Sequence, residues 1–560
     1  MSADIVIRGG TVVDGSGAPG YAADVAIERG RIIEIASHIV PNGARELDAL
    51  GQIVAPGFID IHTHYDAQVF WDPALTPSSF HGVTTVVAGN CGFSIAPTRP
   101  EHHETIARTL ENVEDMNVAT LAAGIPWDFE TFPEYLASVA RHGSVLNFNA
   151  YVGHTALRLY VMGDAAYERI ATPEETGMMC DLLRDAMTSG AAGFATSCIR
   201  THRGVDGKPV PSRFAELAEL DALADAMADA GRGVIAVAAA APWDNAYLYE
   251  LQPRIGVPIT ITALLASSSG THKPLAEMND RGWESGAEVW PQVTPRPLRF
   301  QYSMASPFIL NMQETFAELM AGGLEARRDA YASPEWRGRM NDEYRTARSN
   351  FGAMWDGYEI GVSTAHPELN GRRVVELAEE RGVAPLDLML DLALDEPDLG
   401  LRVGAVLTNE DEGEVAKLLL DEHCTLGLSD AGAHVTQLCD APQGTDLLGN
   451  WVRDRELMPV EQGVRKLTGV QADIFGFEDR GYLREGMCAD VVVFDADTIA
   501  PGPLRRVRDF PANAERLTAD SPSGVTHVVV NGTPIRVDEK PVDIEESGRP
   551  GQIVKPARRR

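Results

Sequence analysis

Gly57-Phe58-Ile59-Asp60-Ile61-His62-Thr63-His64 ends an apolar run that begins at Ile53. Side chains two apart on a strand point the same way. His62 and His64 therefore project together from the end of a buried strand, a geometry suited to clasping one metal ion. Imidazole suits zinc and its first-row neighbours. An isolated His-x-His is more often two ordinary histidines in a turn. The preceding Pro56-Gly57-Phe58-Ile59-Asp60 and the distant Ser429-Asp430 move the reading to a metal site.

Around that strand, the middle of the chain alternates apolar runs with helical segments, the pattern of βα units and a parallel sheet. Strand candidates fall at 53–62, 83–89, 145–152, 191–197, 233–240, 257–265, 286–293, 400–407 and 424–429. That is one more than a (β/α)8 barrel needs, so 400–407 is assigned to an insertion. Residues 300–372 form a long interval rich in Arg, Glu, Met and aromatics, expected to be helical and to serve as a lid or an oligomer contact. Helices are expected over 172–189, 213–230, 372–381 and 410–420, with Thr172 or Ser212 as N-caps.

Both ends have a different texture. Ile5-Val6-Ile7, Val25-Ala26-Ile27 and Ile32-Ile33-Glu34-Ile35 near the start, and Val491-Val492-Val493-Phe494 and Val528-Val529-Val530 near the end, are short strands between glycine turns. They predict one small β-sandwich built from both termini. The expected domains are 1–54 and 479–560 for the sandwich and 55–478 for the barrel. The basic last residues, Lys555 to Arg560, are expected to fray.

Composition bounds the function. The 560 residues are 44% apolar, ample for a large core, and carry 48 basic against 81 acidic side chains, a net charge of −33. That balance argues against a nucleic-acid partner, which requires basic patches. An anionic substrate would need a local basic pocket. The first residues lack a basic segment followed by an apolar one, and no apolar run reaches the roughly 18 residues that span a bilayer. Six scattered cysteines do not form a disulfide framework. The expectation is a cytoplasmic, non-membrane protein acting on a small molecule, with a homo-oligomer left open.

Barrel enzymes carry reactive groups at the C-terminal ends of their strands. Those ends supply His62 and His64, then Asn90-Cys91-Gly92, Gly153-His154-Thr155, Arg200-Thr201-His202 and Ser429-Asp430. Cys91 is either a small buried residue or a thiolate ligand. Asp430 is either a helix cap or a metal ligand that also moves a proton between water and a leaving amine. His154 is balanced between a backbone contact and a substrate role. His202, His272, His366 and His434 read individually as surface residues, with one or two expected to reach the site. Arg200 and Arg296 follow strand ends and could bind a carboxylate by paired hydrogen bonds.

Ala55-Pro56-Gly57-Phe58-Ile59-Asp60-Ile61-His62-Thr63-His64 resembles the opening of the amidohydrolase superfamily. The run Gly82 to Pro97, containing Gly89-Asn90-Cys91-Gly92, and Val152-Gly153-His154-Thr155-Ala156-Leu157-Arg158 look like its N-acyl-D-amino-acid deacylase branch. Arg465-Lys466-Leu467-Thr468-Gly469 and Gly486-Met487-Cys488-Ala489-Asp490 are similar to the final helix and the return to the sandwich. The resemblance implies a barrel with one or two metals, usually zinc, in which metal-activated water attacks an amide carbonyl and Asp430 shuttles the proton. It also implies metal-binding histidines at the ends of strands five and six. Here those ends read Val237-Ala238-Ala239-Ala240-Ala241 and Ile261-Thr262-Ala263-Leu264-Leu265, with none. The expectation is therefore a single zinc held by His62, His64 and Asp430, with Cys91 as a further ligand, and His154, Arg200, His202 and Arg296 toward substrate. Hydrolysis of a linear N-acyl amino acid leads; a cyclic amide hydrolase and a barrel descendant that has lost catalysis are the alternatives.

Overall fold

The computed structural model describes residues 3–204, 207–307, 309–310, 313–320, 322–346 and 355–559. Val205 and Asp206 of the basic loop, parts of the expected 300–372 insertion (308, 311–312, 321, 347–354) and Arg560 lie outside the described residues.

Eight parallel strands in sequential order form the central sheet: β1 (Phe58–Asp60), β2 (Val83–Ala88), β3 (Asn147–Gly153), β4 (Gly193–Ser197), β5 (Val234–Ala238), β6 (Ile259–Ile261), β7 (Val289–Val293) and β8 (Thr425–Leu426). The sheet curls, and an isolated parallel bridge between Thr63 and Ala431 joins its first and last strands beyond their ends. Nearly every strand residue is buried, as both faces of such a sheet require. The inward face carries Ile59, Ile61, Val87, Tyr151, Ala195, Val234 and Ala236. Helices such as Pro173–Ser189 and Leu217–Ala230 pack outside. Thr172 caps the first of these in a capping box with Glu175. Ser212 caps no helix; it lies in a short turn, its hydroxyl bonded to the Ser197 carbonyl, and the helix begins at Leu217.

The run 53–62 is two strands rather than one. Ile53–Pro56 belongs to a second sheet, and Phe58 starts β1. Gly57 makes the transition, and a Cβ there would lie 2.2 Å from the Thr84 side chain. The second sheet has nine strands drawn from residues 5–56 and 491–541. Its join is the antiparallel pairing of Ile53–Pro56 with Val491–Phe494. Alternation along that last strand sends Val491 and Val493 into this sheet's own core, and Val492 and Phe494 toward the central core.

Residues 402–408 pair with Leu298–Ser303 and Tyr358–Val362 in a three-stranded antiparallel sheet. With the helices Leu324–Ala332, Pro334–Thr346 and Pro385–Asp395 this layer has a separate core around Tyr302, Tyr331, Tyr358, Leu388 and Val403.

Lys555 to Arg559 do not fray. Residues 551–559 run beneath the N-terminal ends of the central strands. Phe148 N–H donates to the Gln552 carbonyl at 2.9 Å, Val554 N–H to the Phe148 carbonyl at 3.0 Å, and Arg559 N–H to the Gly231 carbonyl at 2.8 Å. Val554, 5% exposed, joins the apolar cluster inside the curl. The basic composition was misleading because the apolar Ile553-Val554 pair and main-chain hydrogen bonds decide the docking.

Candidate metal centre

Three loops at the C-terminal end of the central sheet build the site. Beyond β1 the chain stays extended: Thr63 N–H donates to the Val87 carbonyl and His64 N–H to the Ala431 carbonyl, at 3.1 and 2.8 Å. The Asn90 carboxamide donates to the carbonyls of Ile61, Thr63 and Val87, stitching this segment to the turn after β2. In that turn Gly89 has φ +81°, and a Cβ there would meet the Tyr151 carbonyl at 2.8 Å. Cys91 itself has φ 55°. After β8, Leu428 and Asp430 also hold positive φ, 59° and 44°. Left-handed backbone in non-glycine residues costs free energy and clusters at functional sites.

These loops bring four donors together. Ligand atoms of His62, His64 and Cys91 lie within 4.8 Å of one another. Asp430 Oδ1 is 3.0 Å from His62 Nε2 and 3.7 Å from His64 Nε2. Cys91 Sγ is 3.9 Å from His62 Nε2. His62 is 0% and His64 2% exposed. Burial opposes ionisation of Asp430, but His62 beside it and hydrogen bonds from both histidines hold its carboxyl well below the usual range. Burial also opposes a charged His62, and Asp430 overcomes it, raising the imidazole to about 10. The cluster is thus an anion-lined pocket that favours positive charge. Two imidazoles, a thiol and a carboxylate are donors that zinc accepts.

The other residues singled out in the sequence take varied places. His202 stands next to this cluster: its Nδ1 is 2.7 Å from Ser197 Oγ and its ring packs edge-on against Phe93. Burial, then His434 and His64, push it down to about 3, so it is neutral. His154 is buried with both ring nitrogens engaged, Nδ1 with Thr196 Oγ1 and Nε2 with Glu219, each at 2.8 Å. Arg296 is held by Asp440 at 2.6 Å and Asp446 at 3.3 Å. Arg200 is exposed on the loop after β4. His272 bonds Ser267 N–H and Glu414, and His366 pairs with Asp395 at the surface. The ring of His434 packs edge-on against Phe300 of the three-stranded layer.

Two buried partners of the histidines went unnoticed in the sequence. Gln292 of β7 bonds His62 Nδ1 at 2.5 Å, and Glu114 Oε1 lies 3.4 Å from His64 Nδ1. The signal for Gln292 was a lone carboxamide near the end of an otherwise apolar strand. Nothing local marks Glu114, the last residue of the helix His103–Glu114.

Fold and site together define a parallel α/β protein with a cluster of cation-ligand types at the strand ends. The chain belongs to the amidohydrolase family, whose pattern matches residues 45–536; it is an enzyme that hydrolyses carbon–nitrogen bonds outside peptides. It is 30% identical over 563 residues to the N-acyl-D-glutamate deacylase of Alcaligenes xylosoxydans xylosoxydans, covering 99% of this chain and 96% of that one. The crystal structure of N-acyl-D-glutamate deacylase from Bordetella bronchiseptica, complexed with zinc and a phosphonate mimic of the tetrahedral intermediate, superposes with TM-score 0.69 at 27% identity, covering 99% and 100% of the chains. A D-aminoacylase structure, described in terms of a binuclear centre with one-metal activation and second-metal attenuation, gives TM-score 0.67 at 26% identity and the same coverage. Among the described residues no helix is long and apolar enough to cross a membrane.

Proposed function

We propose that this chain releases the amino acid from an N-acyl-D-amino acid, at a single zinc ion held by His62, His64, Cys91 and Asp430. The observation that carries the reading is the mutual approach of His62, His64 and Cys91 to within 4.8 Å, with Asp430 Oδ1 against both imidazoles. The walls where a second cation would need ligands are Ala238 to Pro242 after β5 and Thr262 to Leu265 after β6, which offer no imidazole, thiol or carboxylate. A bound zinc ion would polarise the amide carbonyl and make water available as a nucleophile at neutral pH.

The chain's own groups do the rest. Asp430 takes a proton from the attacking water and passes it to the departing nitrogen as the C–N bond breaks, leaving a carboxylate and a free amine. His202, neutral and tethered through Nδ1, supplies Nε2–H to the carbonyl oxygen. Arg200, unpaired by any carboxylate among the described contacts, is the candidate for the substrate carboxylate. His154 and Arg296 we assign to support, because their polar atoms are already committed. The relatives' substrates support the D-amino acid, and the zinc of the Bordetella enzyme supports the metal. We further read the curled sheet as a closed (β/α)8 barrel with the terminal strands as its β-sandwich, and the six free cysteines as fitting a reduced cytoplasm.

Metal content per chain and a screen of N-acyl-D-amino acids test this. About one zinc per chain, with activity removed by chelation and restored by zinc, is expected. Asp430→Asn should lower kcat by about 10²–10⁴. Two zinc ions per chain, or an Asp430→Asn variant with unchanged kcat, would refute it.

A further inference from the structure

Resting on that metal-centre reading, we infer that Gln292 and Glu114 are positioning residues that present the Nε2 atoms of His62 and His64 to the cation. An imidazole can bind a metal through either nitrogen, and what the other nitrogen bonds decides which. Here both acceptors stand on the Nδ1 side. Gln292 Oε1 hydrogen-bonds His62 Nδ1 at 2.5 Å, whereas Glu114 Oε1 lies 3.4 Å from His64 Nδ1 as an ion-pair neighbour without a hydrogen bond. Both Nε2 atoms face Asp430 Oδ1, at 3.0 and 3.7 Å. A proton held on His62 Nδ1 by Gln292, and drawn to His64 Nδ1 by the charge of Glu114, leaves each Nε2 lone pair free for the metal.

The surroundings of Gln292 fit this role and no packing role. Its side chain is 0% exposed, yet its Nε2 has no hydrogen-bond partner. An unsatisfied buried amide is unfavourable, and a leucine of similar size would avoid that cost. Space has been kept for it as well. A Cβ on Gly427 of the neighbouring β8 loop would lie 2.6 Å from Gln292 Oε1 and 2.9 Å from its Cγ. Gly427 has no positive φ in need of glycine, so the close approach of Gln292 is what the missing side chain serves. Glu114 is likewise buried, at 3% exposure, and aimed at His64 by the helix that ends with it. A neutral acceptor on one histidine and an anionic one on the other make His64 the stronger donor.

The test is zinc affinity of the metal-stripped protein, measured by competition with a chromophoric chelator. Gln292→Leu should weaken zinc binding about 10–100-fold while leaving the thermal stability of the stripped protein unchanged or higher. Gln292→Glu keeps an acceptor and should stay within about threefold of the native affinity. Gly427→Ala should weaken binding by displacing Gln292, and should add nothing on top of Gln292→Leu. Glu114→Leu should weaken binding about tenfold, and Glu114→Gln less. If Gln292→Leu binds zinc within threefold of the native protein, or if Gln292→Glu loses as much as Gln292→Leu, the positioning role is overturned. If the native protein itself binds zinc no better than a His62→Ala variant, the metal-centre reading falls, and this inference with it.

Discussion

Replacing Glu219 with Gln separates a supporting role of His154 from a role in binding substrate. Glu219, 5% exposed, accepts from His154 Nε2 at 2.8 Å and pairs with Arg158 NH1. Arg158 is 0% exposed; its other contact is a hydrogen bond from NH2 to the Arg169 carbonyl at 2.9 Å. The carboxamide keeps the shape and can still accept from His154, so the change removes mainly the negative charge facing a buried guanidinium. Two charges about 4 Å apart at an effective dielectric of about 20 interact by about 4 kcal/mol. Removing one member of a buried pair typically costs about 3–5 kcal/mol, because the other is stranded. The expected loss is therefore about 4 kcal/mol of unfolding free energy, read from urea denaturation followed by tryptophan fluorescence. The double variant Arg158→Met, Glu219→Leu should recover most of it, since an apolar pair of similar volume pays no desolvation. KM for an N-acyl amino acid, measured well below the unfolding temperature, should not change. A stability loss under about 1 kcal/mol would refute the electrostatic argument. An unchanged stability with KM raised tenfold would put His154 back against the substrate.

Two further outcomes follow from the packing. His81 is 1% exposed, with Nδ1 2.9 Å from Thr445 Oγ1; burial, then Arg536 and Arg296, push it down to about 3 from 6.5. The folded state binds its proton less readily than the unfolded chain, so this contribution is complete above pH 6.5 and is lost as the pH falls toward 3. Lowering the pH from 7.5 to 5 should cost about 2 kcal/mol through this group, and His81→Leu should abolish that part of the slope in denaturation series; an unaltered slope would sink the assignment. Val554→Ser should lower stability by about 2–3 kcal/mol, from lost apolar burial and an unpaired hydroxyl, without altering zinc affinity, because the tail docks at the end of the sheet opposite the metal centre. An unshifted melting temperature would mean that the tail does not hold the core.

Legibility in the sequence followed the range of the interactions. His62 and His64 could be paired from sequence because a strand repeats every two residues, and the glycines of the Gly89–Gly92 turn marked a special backbone around Cys91. Asp430 was visible as a polar residue ending the last apolar run. The alternation of strands and helices pointed to the parallel sheet, and the surplus strand candidate at 400–407 lies outside it, paired with Leu298–Ser303 and Tyr358–Val362. The break at Gly57 was hidden because residues on both sides are apolar; only the close approach of Thr84 reveals it. Gln292 lies 230 positions from His62, and no local periodicity connects them. The buried partners of His154 and Arg296 were hidden for a related reason. A cation or imidazole at a strand end looks the same in sequence whether it faces a ligand or a buried carboxylate. Glu219, Asp440 and Asp446, which decide the matter, come from helices and loops elsewhere in the chain.

The alanines after β5 show the converse. Ala239, Ala240 and Ala241 stand where the family resemblance implies a ligand, and an absent donor is legible without any structure. What the structure adds is that the remaining donors do not depend on that wall. Their backbone is tied by Asn90 to the Ile61 and Thr63 carbonyls, by Ser429 Oγ to the His62 carbonyl, and by the Thr63–Ala431 bridge. All of these join the ends of β1, β2 and β8. The cluster of His62, His64, Cys91 and Asp430 is therefore held by the strands that supply it. If the chain holds one cation, as we propose, the donor-free stretches after β5 and β6 leave that cation's scaffold untouched.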